Sequence, residues 1–148
     1  MEFSELISEF AERHNVDNLE AEDDTAFLDI DGIIVSIVSS GDSLIVSAEI
    51  GEPPVEGGGT FANILLEANL ESEAFFAKSQ ESGMYIVARR LSLLTLDSDA
   101  FDTMLESLVN LAETWRHLLA DFRPAAEEKA ANDDSQLSPF TGSTFLQV

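Results

Sequence analysis

Apolar positions recur along the chain with two periods. In "FSELISEFAERH", residues 3–14, Phe3, Leu6, Ile7 and Phe10 fall at helical spacing, with Glu5, Glu9 and Glu12 away from that stripe. The spacing predicts an amphipathic helix. The next stretch, "NVDNLEAEDD", has no such pattern and reads as an acidic loop. The period then changes to two. Ala26, Leu28 and Ile30 alternate with Thr25, Phe27 and Asp29. Residues 33–39, "IIVSIVS", are apolar at nearly every position, and residues 43–50 alternate Leu44, Val46, Ala48 and Ile50 against Ser43, Ile45, Ser47 and Glu49. The separators, "DG" at 31–32 and "SGD" at 40–42, are hairpin signals, so these segments predict a three-stranded antiparallel meander.

"GEPPVEGGG" follows as a loop, and Thr60 is expected to cap a second helix. Phe61, Ile64, Leu65 and Ala68 line one side of it, while Leu66 and Leu70 lie outside that stripe, so its apolar arc is unusually wide. Residues 74–79 and 84–94 predict two strands joined by a turn at "QESG". A last helix starts at Asp97 or Ser98, with a stripe of Phe101, Leu105, Leu108, Ala112, Trp115 and Leu119, and the pattern ends at Pro124. Residues 124–148 shift to Pro, Ala, Ser and Thr with paired acids, which predicts a flexible tail. The tail's Phe140, Phe145 and Leu146 are more than solvation requires and could dock on this chain or another. The expectation is an α+β domain over 1–123, antiparallel sheet with helices packed on it, in the order α-βββ-α-ββ-α, and a tail over 124–148.

Charge narrows the partners. The chain has 29 Asp+Glu against 7 Lys+Arg, a formal net of −22. Such a surface repels phosphate backbones and anionic bilayers, so no nucleic acid and no membrane insertion are expected, whereas a basic or amphipathic protein would be attracted. Solubility alone also accounts for the charge. No apolar run reaches the length of a membrane span, and the acidic N-terminus lacks the basic region of a secretory signal. There is no cysteine. A cytoplasmic protein is expected.

One segment imitates a catalytic motif. "FLDIDGIIV", residues 27–35, has two aspartates one residue apart and a glycine after an apolar run, as the dehalogenase-like phosphatases do. That chemistry needs a helix and a parallel sheet after the loop, but "IIVSIV" predicts another strand, and Lys78 and Lys129 are the only lysines. A calcium loop fails as well: with Asp29 as its first position, Ile33 and Ser40 take positions that require oxygen ligands from an acidic series. Asp31-Gly32 as a two-residue turn needs only what is present. His14 and His117 have no partners at ligand spacing, "GGG" at 57–59 is not followed by the Gly-Lys-Ser/Thr of a phosphate loop, and the adjacent Arg89 and Arg90 read as offsetting nearby acids. No catalytic residue, metal site or cofactor is expected.

Taken together and in order, four features resemble the class I chaperones of bacterial type III secretion, the CesT/Tir-chaperone group. They are "FSELISEFAERH", the "DIDG" hairpin leading into "IIVSIV", "LLEANL" at 65–70, and "LTLDSDAFDTMLESLVNLAETWRHLL". The resemblance covers roughly residues 3–120. It implies a homodimer that holds the N-terminal segment of a secreted effector in extended form, without nucleotide. On that reading Phe61, Leu66 and Leu70 are expected at the dimer interface, although burial within one chain would also explain them. Leu6, Phe10, Ile33, Val35 and Ile37 are expected to meet the effector, since the second strand is apolar on both faces and only one is needed for a core. An adaptor of the same fold, resembling the YbjN-like proteins and binding a folded partner, is the alternative. The tail has no counterpart in the resemblance; covering a groove until an effector arrives is one role for it.

Overall fold

The computed structural model of the chain describes residues 2–123. The tail expected at 124–148 lies outside the described residues. The elements are α1 (Phe3–His14), β1 (Glu20–Glu22), β2 (Thr25–Ile30), β3 (Ile33–Ser40), β4 (Ser43–Gly51), α2 (Gly58–Ala68), β5 (Phe75–Lys78), β6 (Tyr85–Ser92) and α3 (Ser98–Asp121). The strands form one antiparallel sheet in the order β1-β2-β3-β4-β6-β5.

The class and nearly all of the order agree with the sequence pattern. The difference is β1, which lies in the stretch expected to be a loop. Its three residues pair Glu20, Ala21 and Glu22 with Phe27, Ala26 and Thr25 of β2, and all three are exposed. A strand with no buried side chain leaves no apolar alternation to read. The second difference is the start of α2. It begins two residues before Thr60: Gly57, at φ 79°, takes the cap position and its carbonyl accepts the Phe61 N–H at 3.0 Å. That positive φ suits glycine, which explains the start within the glycine run.

The helices cover one face of the sheet. Ala26, Leu28, Ile33, Val35, Ile37, Leu44, Val46, Ala48, Ile50 and Val87 point toward them and are buried. They share a single apolar cluster with Phe3, Leu6, Ile7 and Phe10 of α1 and the stripe of α3. α3 lies chiefly across β4, with β6 and β3 on either side. Its buried residues, Phe101, Met104, Leu105, Leu108, Val109 and Ala112, recur every three or four positions, and the Asp97 carboxylate accepts the Ala100 N–H at 2.7 Å, capping its start.

α1 is fastened to α3 at its C-terminal end. The Phe10 and Phe101 rings meet edge to face at 5.6 Å. Beyond them Arg13 Nη2 donates to Asp102 Oδ1 at 3.1 Å and to the Ser98 carbonyl at 3.3 Å, and His14 Nε2 lies 3.1 Å from Asp102 Oδ2. These pairs are largely exposed, so they fix the helix angle while the aromatic contact supplies most of the attachment energy.

Candidate interaction surfaces

The "DIDG" segment is a turn. Asp31 and Gly32 have φ values of 53° and 87°, and they join strands in which Ile30 pairs with Ile33. The Asp29 carboxylate accepts the Gly32 N–H at 2.7 Å, so it closes the hairpin. Positive φ at both central residues matches the strand twist, which is why Asp-Gly occurs there. Among the described residues no group of three or more His, Cys, Asp or Glu is placed to hold a metal ion, and no helix is long and apolar enough to cross a membrane.

Among the described residues, exposed apolar side chains gather in two places, with Leu94 and Leu118 exposed apart from them. The first is the sheet face that no helix covers. Strand register places Phe27, Ser36, Ser47, Ala88 and Phe75 in one row across β2, β3, β4, β6 and β5. On one side of that row stand Val38, Ile45 and Arg90, and on the other Ile34, Glu49 and Ile86. Small side chains in the middle and large ones on the flanks make a shallow trough, with Phe27 and Phe75 at its ends. Five strands at 4.7–4.9 Å spacing give it a length of about 19 Å. Phe27, Ile34 and Val38 are 45%, 40% and 36% exposed, while Ala88 on the trough floor is 1% exposed.

The second place is the outer flank of α2. Phe61 anchors this helix inward: its ring stacks on Tyr85 at 5.6 Å and meets Phe122 and Trp115 edge to face at 5.2 and 6.2 Å. Tyr85 donates to the Gly58 carbonyl at 3.3 Å, and burial pushes its phenol above the usual value of 10.0. With Phe61 and Leu65 turned inward, Leu66 and Leu70 remain 62% and 88% exposed, and Ile64 39%. Val55, in the preceding loop, is fully exposed.

Asn69 explains "LLEANL". Its side chain reaches β5, accepting the Phe76 N–H at 2.6 Å and donating to the Phe76 carbonyl at 3.3 Å. That amide occupies the outer backbone edge of β5, which would otherwise template pairing with another chain. β1 at the opposite edge has no such cover among the described residues.

The expected contact residues separate under this geometry. Leu66 and Leu70 are on the surface, as a dimer contact requires, but Phe61 is 2% exposed and belongs to the monomer core. Leu6, Phe10, Ile33, Val35 and Ile37 are all buried, at 6% exposure or less, and form no surface for an effector. The reason is the pleat: the odd-numbered side chains of β3 point to the helices and the even-numbered ones to solvent. Phe27, Ile34 and Val38 are the large apolar side chains of β2 and β3 that are exposed to a partner. Alternation in β2 exposed Phe27 in the sequence too, but only the burial of Ile33, Val35 and Ile37 identifies Ile34 and Val38.

The sequence matches the Tir chaperone protein (CesT) family over residues 5–116, and the chain belongs to that family. Solved structures share the fold. One is the ExsC–ExsE complex, 21% identical, with a TM-score of 0.67 over 78% of this chain and 91% of that one. Another is the Yersinia pestis type III secretion chaperone SycH in complex with a stable fragment of YscM2, 20% identical, with a TM-score of 0.60 over 77% and 99%. A third is YbjN of E. coli, described as a putative transcription regulator, 14% identical, with a TM-score of 0.60 over 79% and 91%. No curated protein matches the chain.

Proposed function

We propose that this protein is a cytoplasmic chaperone of type III secretion that binds the N-terminal segment of a secreted effector in extended form, as a homodimer, and keeps it soluble and ready for export. The observation that carries this reading is the uncovered sheet face of a chain in the Tir chaperone family. Its trough, about 19 Å long, matches about six residues of extended chain at ~3.3 Å per residue. A client lying there buries Phe27, Ile34 and Val38, and neither partner has to unfold its own core. The free edge of β1 offers main-chain pairing to a neighbouring stretch of the client.

The outer flank of α2 supplies the second contact. In a two-fold dimer each residue is used twice. Burying one leucine is worth about 2 kcal/mol, so one such position contributes about 4 kcal/mol to association, or roughly a thousandfold in the dissociation constant. Leu66 and Leu70 fit that role; Phe61 holds their helix in place.

A second reading, an adaptor that binds a folded partner, draws on the likeness to YbjN. Light scattering on the purified protein, alone and co-expressed with the product of the adjacent gene, separates the two. The chaperone reading expects a dimer alone and, in the complex, two copies joined to one client whose bound segment is protease-sensitive when free. A monomer whose only partner is a folded domain would replace it with the adaptor reading.

A further inference from the structure

Away from the bare sheet face, a cavity of about 720 Å³ opens between the C-terminal end of α1, the end of β2 and the middle of α3. Five acidic residues contribute to its lining, Asp17, Asp29, Asp31, Asp102 and Glu106, and neither lysine nor arginine does. Two are engaged: Asp29 closes the β2–β3 turn, and Asp102 holds Arg13 and His14. Among the described residues, no ion pair or hydrogen bond engages the side chains of Asp17, Asp31 or Glu106. The cavity floor is apolar, made by Leu28, Leu105 and Val109. Two cations stand at the rim, Arg13 on Asp102 and Arg116 on the Gly32 carbonyl, and the acidic residues outnumber them. Apolar depth beneath that excess of negative charge is complementary to a side chain of the opposite design, an aliphatic tip with a cation beside it.

We infer that this groove is a docking site for a client segment in which an apolar residue is flanked by lysine or arginine. The inference rests on the chaperone reading and adds to it the chemistry of the recognised segment. The trough's rows across β3, β4 and β6 carry one cation, Arg90, and one carboxylate, Glu49, and the trough selects for extended, apolar chain. The groove selects for charge. Two sites of different chemistry on one protomer discriminate a client from other unfolded chains better than either alone.

The probes are two synthetic twelve-residue peptides with the same leucines and serines, one carrying lysines at positions where the other carries glutamates. Binding to the full chain is measured by fluorescence anisotropy and located by amide chemical shifts. The lysine peptide is expected to shift residues 17, 31, 106 and 110, and the glutamate peptide to leave them unmoved. The triple variant Asp17→Asn, Asp31→Asn, Glu106→Gln should weaken the lysine peptide at least tenfold; asparagine tolerates the left-handed backbone at position 31, so the turn is retained. A control triple away from both the groove and the α2 flank, Asp42→Asn, Glu81→Gln, Asp121→Asn, removes the same net charge and should change affinity less than twofold. Equal losses in both triples would reduce the effect to bulk attraction by an acidic protein and overturn the inference. So would shifts that avoid the groove. Groove binding without any co-expressed client would overturn the chaperone reading and leave the groove standing; a client bound equally by wild type and the groove triple would do the reverse.

Discussion

Along β3, Ile33, Val35 and Ile37 are 1% exposed or less, while Ile34 and Val38, one position away, are 40% and 36% exposed. The residue types are the same and the strand is the same. The helix-covered side uses its apolar groups to fold the chain. The bare side leaves comparable groups in water, where they contribute little to the monomer's stability and stay available to a partner. On the proposed reading, β3 serves two interfaces, one permanent and one awaiting a partner.

The largest effect that tests this contrast comes from placing a charge on each side. Ile37→Asp buries an unpaired carboxylate and should cost more than ~4 kcal/mol, enough to unfold much of the protein in urea titration. Val38→Asp should change stability by less than ~0.5 kcal/mol. Similar losses at both positions would mean the bare face is packed in the monomer.

Next in size is the α2 flank. Leu66→Asp is expected to raise the dimer dissociation constant about a thousandfold, given ~2 kcal/mol per buried leucine and two uses of each residue. Sedimentation should show monomers of unchanged helix content. Smaller again is the client contact. Phe27→Ser with Val38→Ser should weaken an isolated client segment by ~10- to 100-fold in calorimetry, since each buried apolar side chain contributes about 1.5–3 kcal/mol and part of that goes to ordering the segment. Dimerisation should be unaffected by that pair.

Asn69→Ala compares the two sheet edges. It leaves the Phe76 backbone groups without their amide partner and should cost about 1–2 kcal/mol, read by urea unfolding, with faster amide exchange on β5 than on β6. The smallest expected effect concerns Tyr85. Its folded-state pKa lies above 10.0, so its contribution is complete below pH 10 and is lost as pH rises through the raised value. Thermal melting should therefore decline on the alkaline side, and Tyr85→Phe should flatten that decline.

The fold was legible wherever one side of an element is buried. Alternation in β2 and β4, and the stripes of α1 and α3, gave those elements within a residue or two of their ends. β1 escaped because an exposed three-residue strand carries no hydrophobic signal. Thr60 misled because a glycine run started α2 through backbone conformation, with no capping side chain. At the candidate surfaces the limit was of another kind. In "IIVSIV" both faces are apolar, so pattern alone does not say which one the helices cover; that depends on where α1 and α3 pack. The exposure of Leu66 and Leu70 was legible because they depart from the α2 stripe, whereas Phe61, expected beside them at the dimer interface, is buried because it opens that stripe. The groove gave no sequence signal, since its carboxylates come from a loop, a strand, a turn and a helix.

The most direct measurement of the central contrast is methyl NMR on isoleucine-labelled protein, titrated with the client segment found by co-expression. Ile34, Ile45 and Ile86 report the bare face, and Ile33, Ile37 and Ile50 the covered one. The account predicts that the first three methyl signals shift on binding and the last three keep their positions. Shifts confined to Ile33, Ile37 and Ile50 would contradict it, because the client would then enter through the core and the bare face would have no part in binding.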